Sequence, residues 1–314
     1  MSQKTPQDLI ERIRSNIAQV IVGKKDSIDL ILIALVSRGH VLLEDIPGIG
    51  KTTLVTALAK SLGLTFNRIQ FTPDVMPSDI TGFNLYNQRS AQFEFHPGVI
   101  MSQLLLADEI NRTSPKTQSS LLEAMQENQV TVDGVTYALP RPFMVLATQN
   151  PIELVGTYPL PEAQLDRFML KVNLGYPTLE EEIAIYTRFA ARSPLHDLES
   201  VVSVKDVFFL QETVENLYCA EAIRRYVALI ARATREHPDL LLGVSPRGAL
   251  MLMLAARGRA LLLNRGYVLP DDVQTMLAPV LGHRLILRPE ARLNQITITH
   301  VLDSIMRQIP VPEA

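Results

Sequence analysis

The amino-acid sequence predicts an α/β fold, a parallel sheet flanked by helices, followed by a segment that is all α. Two observations lead to this fold class. In the first half of the chain, short apolar runs alternate with helical patterns, as in repeated strand–helix units. After Thr178, helix start signals recur with almost no strand signals. We expect the boundary near Gly175, which gives one domain over residues 1–175 and a helical domain over 176–314.

The strands and helices of the first half follow from these apolar runs and from helix start signals. The helix after Ser114 has a clear start, with Ser114 at the N-cap and proline in the first turn. The predicted strands cover residues 40–43, 66–70, 104–108, 143–148 and 168–172. The predicted helices cover residues 7–21, 26–37, 51–62 and 115–126.

Three helix starts mark the second half. Thr178 and Ser203 are each followed three residues later by an acidic side chain, which is the pattern of a capping box. Ser245 followed by proline predicts the start of a helix over 247–263.

Two excursions interrupt the first half. In the excursion over 71–98, Phe83 and Leu85 are expected to face Phe93 and Phe95 across a polar bend, which predicts a small inserted hairpin.

The second excursion, over 130–139, alternates around Asp133 and Gly134, a pair typical of tight hairpin turns. Neither hairpin adds obvious core residues, so we expect both to contact another molecule.

Composition and charge exclude several classes of protein. The 314 residues are 47% hydrophobic and 20% charged, which favours a packed core over disorder. The 30 Lys and Arg residues against 33 Asp and Glu residues give a net charge of −3, unlike most proteins that grip nucleic-acid phosphates. The single cysteine, Cys219, excludes an internal disulfide. No stretch reaches the ~18 uncharged residues that cross a bilayer, so we expect a cytoplasmic protein without a membrane span.

The strongest functional signal is EDIPGIGKTT, residues 44–53, between a predicted strand and a predicted helix. A phosphate-binding loop needs glycines that let backbone N–H groups face the phosphates, a lysine for the β/γ oxygens and a hydroxyl for Mg²⁺. The loop supplies these as Gly48, Gly50, Lys51 and Thr52. The leading glycine of the pattern is replaced by Asp45, a residue type that tolerates positive φ. The alternative is a glycine-rich turn with a solvated lysine.

Two more predicted strands end in polar side chains that suit nucleotide chemistry. One delivers Asp108 and Glu109 to the carboxyl edge, where open α/β sheets bind ligands. Asp108 would act on the Mg²⁺ shell and Glu109 would orient or deprotonate the attacking water. Asn150 follows the strand at 143–148 and would hydrogen-bond that water or the γ-phosphate; a turn asparagine before proline is the equal alternative.

These three signals, in this order, resemble the AAA+ ATPases, and the surrounding sequence resembles the MoxR family closely. The resemblance is dense from about residue 22 to residue 172 and thinner through the helical half. The matching stretches are residues 43–53, 71–74, 78–82, 107–112, 116–118, 122–125, 147–151 and 156–168.

The resemblance implies a P-loop NTPase core of the AAA+ type followed by an all-α lid. In that fold the excursion over 71–98 is the helix-2 insert and the excursion over 130–139 is the pre-sensor hairpin. The resemblance implies further that Lys51 and Thr52 belong to the Walker A motif, and that Asp108 and Glu109 form the Walker B pair. Asn150 takes the sensor-1 position.

The resemblance also implies two arginines that sense nucleotide. Arg167 matches an arginine finger, which reaches the γ-phosphate bound by the neighbouring subunit; a surface salt bridge to Asp166 or Glu162 is the alternative. Arg247 matches sensor 2 at the start of a lid helix, where a cation opposes the helix dipole and so favours an anionic partner. The sequence leaves open whether Arg247 acts on its own nucleotide or on a neighbour's.

Other nucleotide contacts implied by the resemblance lie on both sides of the lysine. Val22 and Gly23 would cradle the adenine, and the phosphate loop is completed by Pro47, Ile49 and Thr53. We also expect Gln70 to restrain Glu109, and Arg112 either to reach nucleotide across a subunit interface or to form an ion pair.

The resemblance thus implies Mg²⁺-dependent ATP hydrolysis at sites between the subunits of a hexameric homo-oligomeric ring. It implies a chaperone-like motor for protein-complex assembly or metal-cofactor insertion, often beside a protein with a von Willebrand factor A domain. The expected cofactors are ATP and Mg²⁺, and the client is a protein complex.

Three alternatives remain. A DNA-remodelling AAA+ protein needs basic hairpins, whereas the hairpin over 130–139 has no Lys or Arg and the excursion over 71–98 has only Arg89 against three acids. A nucleotide-gated binding module would hydrolyse ATP slowly or not at all, which the complete set of polar residues argues against. A monomeric kinase would have no use for Arg167 at a subunit edge.

Overall fold

The computed structural model describes residues 4–46, 48–150, 156–189 and 194–312. Within these ranges the strands, numbered in chain order, are β1 (Val41–Glu44), β2 (Phe66–Gln70), β3 (Gly82–Asn87), β4 (Gln92–Pro97), β5 (Leu104–Asp108), β6 (Gln129–Val132), β7 (Val135–Ala138), β8 (Met144–Gln149), β9 (Leu170–Val172), β10 (Leu240–Leu242) and β11 (Ile286–Leu287).

The helices are α1 (Pro6–Ala18), α2 (Lys25–Val36), α3 (Lys51–Leu62), α4 (Pro77–Thr81), α5 (Pro115–Glu127), α6 (Glu162–Leu165), α7 (Leu179–Phe189), α8 (Val204–Asn216), α9 (Glu221–Glu236), α10 (Pro246–Leu262), α11 (Pro270–Leu281), α12 (Pro289–Leu293) and α13 (Ile298–Gln308). Among the described residues, no helix is both long and apolar enough to cross a membrane.

A five-stranded parallel sheet in the order β2-β5-β8-β1-β9 forms the centre of the first half. The inner strands β1, β5 and β8 are buried on both faces, with successive side chains alternating between them, whereas the edge strand β2 is partly exposed. Leu43 and Leu106 join the core with α1, α2 and α3, whereas Leu42 and Leu105 join the core with α5. The predicted sheet and its flanking helices are therefore confirmed.

The carboxy-terminal helices pack against the outside of the sheet domain. Helices α8 and α10 contact α1 and α2, and α11 contacts the edge strand β9. One apolar core runs from the sheet through α1 and α2 into these helices. The division at residue 175 stays a prediction, because the core continues across it.

The predicted helix starts of the second half are present. Thr178, Ser203 and Ser245 each accept a backbone N–H three residues later through the side-chain hydroxyl. The short pair β10 and β11 was not predicted, because runs of three and two residues carry no periodic signal.

Both predicted hairpins form, but the register of the first differs from the prediction. Strands β3 and β4 pair so that Phe83 lies opposite His96 and Leu85 lies opposite Glu94. Phe83 stacks on His96, and Phe93 contacts Tyr86 instead. The prediction that Phe83 and Leu85 face Phe93 and Phe95 was wrong, since a shift of one residue moves a side chain to the other face.

The two hairpins also contact each other. Phe95 of β4 stacks on Tyr137 of β7 with the ring centres 3.8 Å apart. Asn84 of β3 donates a hydrogen bond to Asp133, in the turn between β6 and β7, at 2.9 Å. The hairpins therefore form one continuous projection from the sheet domain.

Candidate nucleotide-binding site

The phosphate-loop sequence lies between β1 and α3. Gly48 and Gly50 have φ of +85° and +91°, a conformation that side chains rarely adopt. A Cβ atom built on either glycine would have no neighbour within 4 Å, so the inside of the loop is open. Gly50 is the N-cap of α3, which directs the helix amino terminus at the loop. Pro47 lies outside the described residues.

Asp45 and Lys51 close the loop through the backbone. The Lys51 ammonium donates to the carbonyl oxygen of Asp45 at 2.9 Å. The Asp45 N–H donates to the carbonyl of Gln149, which ties the loop to β8. The Asp45 side chain points away from the loop, and its carboxylate accepts the N–H groups of Leu174 and Gly175.

A cavity of about 500 Å³ extends beside the loop. Its walls come from the segment between α1 and α2, the phosphate loop, the segment after β9, and α7. Most of its lining is apolar, which suits a nucleobase and ribose. Of the predicted contacts, the lining includes Val22, Gly48, Ile49, Gly50 and Thr53.

Gly23 adjoins this lining. Its φ of +66° turns the chain into α2, and a Cβ there would overlap the Glu181 carboxylate of α7. Lys24 donates to the Tyr176 carbonyl at 2.8 Å. The segment predicted to cradle adenine thus touches the element on the other side of the cavity.

Asp108 ends β5 as a buried carboxylate with two partners. The Thr148 hydroxyl donates to Oδ1 at 2.6 Å, and the Arg68 guanidinium donates to Oδ2 at 2.8 Å. Because β5, β8 and β1 are neighbours, Asp108, Asn150 and the phosphate loop leave the sheet side by side. Asn150 itself is buried.

Glu109 follows in a left-handed conformation with φ of +57°. Its N–H donates to the Thr148 hydroxyl at 2.8 Å, so the backbone is fixed to β8. Its carboxylate oxygen Oε2 accepts from Gln70 at 2.7 Å and from Arg112 at 2.8 Å. The predicted contact with Gln70 is present, and Arg112 forms an ion pair within the same chain.

These residues fit ATP and Mg²⁺. The open, left-handed glycine loop is the cradle that polyphosphate requires. Thr52, in the first turn of α3, and Asp108, at the end of β5, carry the hydroxyl and carboxylate oxygens that Mg²⁺ prefers. Lys51 supplies the cation for the phosphate oxygens.

Arg167 and Arg247 lie at the other edge of the sheet. Arg167 comes three residues before β9, and Met169 donates its N–H to the carbonyl of His40, just before β1. The phosphate loop follows the carboxyl end of β1, so the length of the sheet separates Arg167 from it. Arg167 donates to Gln126 at 3.3 Å, and not to the carboxylates suggested as the alternative.

Asp166, next to Arg167 in the chain, also contacts the start of the helix that carries Arg247. Its carboxylate accepts from the buried guanidinium of Arg284 at 2.7 Å and from the hydroxyl of Ser245, the N-cap of α10, at 3.0 Å. Arg247 lies in the first turn of that helix. Burial, together with the nearby charge of Arg247, lowers the pKa of His40 to about 4. Arg247 therefore lies near the amino ends of the strands, away from the phosphate loop of its own chain.

Comparison with known proteins identifies the family. Residues 40–170 match the sequence profile described as "ATPase family associated with various cellular activities (AAA)", and residues 232–305 match an AAA lid domain. The chaperone MoxR1 of Mycobacterium tuberculosis is 42% identical over 97% of this chain and 82% of its own length. The protein MoxR of Paracoccus denitrificans is 32% identical over 94% of each chain.

The chain belongs to the MoxR family of AAA+ ATPases.

Two further similarities span nearly the whole MoxR-family chain. The uncharacterised protein YeaC of Bacillus subtilis is 51% identical over 97% of this chain and 95% of its own length. A solved structure of a candidate ATPase from Cytophaga hutchinsonii superposes with a TM-score of 0.92 at 40% identity, covering 98% of this chain and 96% of that one. The AAA+ core, the helical lid and the assignment as an ATPase are therefore shown.

Sequence analysis missed two parts of this MoxR-family site. Arg68 stands on the edge strand β2, where an alternating pattern does not say which carboxylate it will meet. Helix α7 was expected as a lid helix, but its Ile185, Tyr186 and Phe189 line the cavity. The amphipathic spacing of these residues was the available signal.

Proposed function

We propose that the chain hydrolyses Mg²⁺-ATP at sites shared between neighbouring subunits of a closed hexameric ring. The observation that carries this proposal is the position of Arg167 and Arg247. Both lie near the amino edge of the sheet, whereas the phosphate loop lies at the carboxyl edge. A head-to-tail contact that brings one edge to the other completes each site from two chains, and such contacts close into rings.

Each side chain then has a defined task. Lys51 binds the β- and γ-phosphate oxygens, while Thr52 and Asp108 hold Mg²⁺. Bound Mg²⁺ neutralises charge on these phosphates. Glu109 accepts a proton from the attacking water, whose oxygen forms a bond to γ-phosphorus as the bond to the β-phosphate oxygen breaks. Asn150 orients the water.

Charge that develops on the γ-phosphate is met by Arg167 of the neighbouring subunit. Arginine fingers contribute roughly 10³–10⁵ in rate in other NTPases. Arg247 of a neighbouring subunit binds the same nucleotide in this arrangement. Gln126 holds Arg167, and Asp166 holds Ser245 at the start of the helix that carries Arg247, until the neighbour's nucleotide is present.

The biological role we propose is that of a cytoplasmic chaperone-like motor. The curated relative from M. tuberculosis is named as a chaperone. We propose a client protein complex that is assembled or loaded with a metal cofactor, and a partner with a von Willebrand factor A domain. The joined hairpins would deliver force, and their exposed Phe83, Leu85 and Phe93 suit protein contact. The two hairpins carry a single Arg, Arg89, against Glu94 and Asp133, and this balance disfavours nucleic acid.

A complementation experiment tests the shared site. Lys51→Ala disables the phosphate loop and Arg167→Ala disables the finger, so each variant alone should lose nearly all turnover. In an equal mixture, about a quarter of the sites pair an intact loop from one chain with an intact finger from another, and about a quarter of wild-type activity should return. Turnover per wild-type subunit should also rise steeply with protein concentration.

The control is Arg232→Ala, which removes an exposed arginine paired with Glu236 on α9 and should leave turnover unchanged. A mixture that stays inactive, with wild-type turnover independent of concentration, would show a site complete in one chain, as in a monomeric phosphoryl-transfer enzyme. Binding of ATP without turnover by wild-type rings would favour a nucleotide-gated module.

A further inference from the structure

Asp45 occupies an unusual place for a phosphate-loop residue. It stands where the loop pattern has its first glycine, yet its side chain is 8% exposed and contributes nothing to the inside of the loop. Oδ2 accepts the N–H of Leu174 at 2.5 Å, and Oδ1 accepts the N–H of Gly175 at 3.1 Å. Both oxygens of one carboxylate therefore bind the same short segment.

That segment is the hinge between the sheet and α7, defined here as residues 174–177. It begins two residues after β9 ends, and Gly175 has φ of +64°. Gly175 has open space around it, since a Cβ there would meet nothing within 4 Å. Tyr176 and Pro177 then line the nucleotide cavity. A rotation within this hinge moves α7 relative to the phosphate loop.

Helix α7 depends on polar contacts for its position. None of its residues is buried, so apolar packing does not fix it. Glu181 lies 3.8 Å from Lys24, and Arg188 donates to the carbonyls of Ala18 and Gln19 at 2.7 and 3.0 Å. An element held in this way moves at low cost. Its inner face nevertheless forms one wall of the cavity.

The backbone of Asp45 meets the phosphate chemistry. Its carbonyl accepts from the Lys51 ammonium, and its N–H donates to β8 one residue before Asn150. A polyphosphate in the loop competes with that carbonyl for Lys51. Asp45 thus touches the lysine that reads phosphate, the strand that carries Asn150, and the hinge of α7.

We propose that Asp45 is a positioning residue that couples phosphate binding in the loop to the closure of α7 over the base. The carboxylate holds the hinge at one angle, and a nucleotide that orders the loop orders the hinge through it. This inference rests on the proposed nucleotide site. It predicts that Asp45 controls how fast nucleotide leaves, without touching the nucleotide.

Hydrogen exchange at the amides of Leu174 and Gly175 tests the contact directly. In Asp45→Asn the charge and one acceptor are lost, and in Asp45→Gly both acceptors are lost. Exchange at these two amides should become about tenfold faster in the asparagine variant and faster again in the glycine variant, because charge-assisted hydrogen bonds to a carboxylate are strong. The matched control is Glu44→Gln, which removes the preceding carboxylate and its ion pair with Lys171 but leaves the hinge acceptors.

The coupling between the phosphate loop and α7 is tested by measuring nucleotide release and the effect of bound nucleotide on hydrogen exchange. Release of a fluorescent N-methylanthraniloyl ADP in Mg²⁺ should be about tenfold faster from Asp45→Asn than from wild type or Glu44→Gln. In wild type, saturating Mg²⁺-ADP should slow exchange at the hinge amides and along α7, and in Asp45→Asn this slowing should disappear while the phosphate loop is still protected.

Three results would overturn the inference. One is equal exchange at Leu174 and Gly175 in Asp45→Asn and Glu44→Gln. Another is unchanged nucleotide release in Asp45→Asn. The third needs no variant: wild-type hinge amides that ignore Mg²⁺-ADP while loop amides respond. If wild type binds no nucleotide at all, the proposed function fails as well, and that result is distinct from the three.

Discussion

The Glu109 carboxylate is held between two donors of its own chain. Gln70 and Arg112 both donate to Oε2, and the left-handed backbone of Glu109 is fixed by Thr148. A general base needs a free lone pair directed at the attacking water. At the scale of the residue, Gln70 and Arg112 therefore restrain any rotation that would turn a lone pair of this carboxylate toward the water.

Glu109→Gln should lower ATP turnover by roughly 10²–10⁴, since a general base contributes about that much. Nucleotide affinity should stay within about threefold of wild type, because the loop that binds phosphate is intact. Steady-state turnover together with equilibrium binding of labelled ATP measures both. A variant that keeps wild-type turnover would remove Glu109 from the mechanism.

Gln70→Ala should act in the opposite direction. With one donor gone, Glu109 is free more often, and basal turnover should rise several-fold over wild type. Gln70→Glu is a useful second variant, because its carboxylate cannot donate a hydrogen bond to Glu109 and repels the Glu109 carboxylate. Slower turnover in Gln70→Ala would mean that Gln70 aims Glu109 at the water.

At the scale of elements, the lid helices α10 and α11 are joined by a buried acid. Asp272 is 0% exposed, and its carboxylate accepts from Arg259 at 2.6 Å and from Arg265 at 2.5 and 2.7 Å. It also accepts the N–H of Leu269 at 2.8 Å, which caps α11. The adjacent Asp271 has a side chain that is 69% exposed and pairs with Arg259.

Asp272→Asn should destabilise the lid by about 3–5 kcal/mol, because it leaves two arginines without their buried counter-charge. Asp271→Asn is the matched control and should cost less than about 1 kcal/mol, since exposed ion pairs contribute little. Urea unfolding followed by circular dichroism measures the difference. Equal losses in the two variants would contradict the geometric argument.

The elements were predictable because their signals are local. The glycine loop, the Ser114 N-cap and the Asp133-Gly134 turn are each encoded within a few residues, and all are present in the structure. The five strands of the parallel sheet were predicted to within two residues at each end. For the candidate site, the sequence predicts the phosphate loop after one strand and the polar residues Asp108, Glu109 and Asn150 at the ends of two others.

What could not be predicted depends on contacts between distant segments. Arg68 meets Asp108 across 40 residues, and Asp45 meets Leu174 across 129. Asp272, in the first turn of α11, meets Arg259 and Arg265 from the preceding helix and loop. The register of β3 and β4 was predicted wrongly because both faces of that hairpin carry aromatic and polar residues, so the sequence pattern does not show which face is buried.

At the scale of the whole molecule, two buried histidines lie between the sheet and the carboxy-terminal half. Burial lowers the pKa of His283 to about 3, and the adjacent Arg284 lowers it too. Burial likewise lowers the pKa of His40 to about 4. His283 hydrogen-bonds the carbonyl of Phe168, and His40 hydrogen-bonds that of Met125. Both rings are neutral in the folded protein at neutral pH.

The stability contributed by these neutral rings is fully present above pH ~6.5, the ordinary histidine pKa. It is lost as pH falls toward 4 and 3, because the unfolded chain takes up protons that the folded chain refuses. Each histidine should add about 1.4 kcal/mol per pH unit to the slope of the unfolding free energy against pH. We therefore expect urea unfolding between pH 6.5 and 5 to give a smaller slope of unfolding free energy against pH for His283→Gln than for wild type. The difference should correspond to the uptake of about one proton on unfolding.

His300→Gln is the control for this slope, because His300 is exposed on α13. It should keep the wild-type dependence on pH. A wild-type stability that is flat from pH 6.5 to 5 would contradict the neutral, buried state of both rings.

The phosphate loop and the arginines lie at opposite edges of the sheet, and this placement decides how many complete ATP sites a given number of chains can form. In an open head-to-tail arc of n copies, the loop at one end and the finger at the other end both have no partner, so only n − 1 sites are complete. Closing the arc adds one site without adding a chain. In our proposal, a partner that binds between two subunits and separates them removes one of the n sites. Every chain stays folded, but the ring loses that fraction of its ATP turnover.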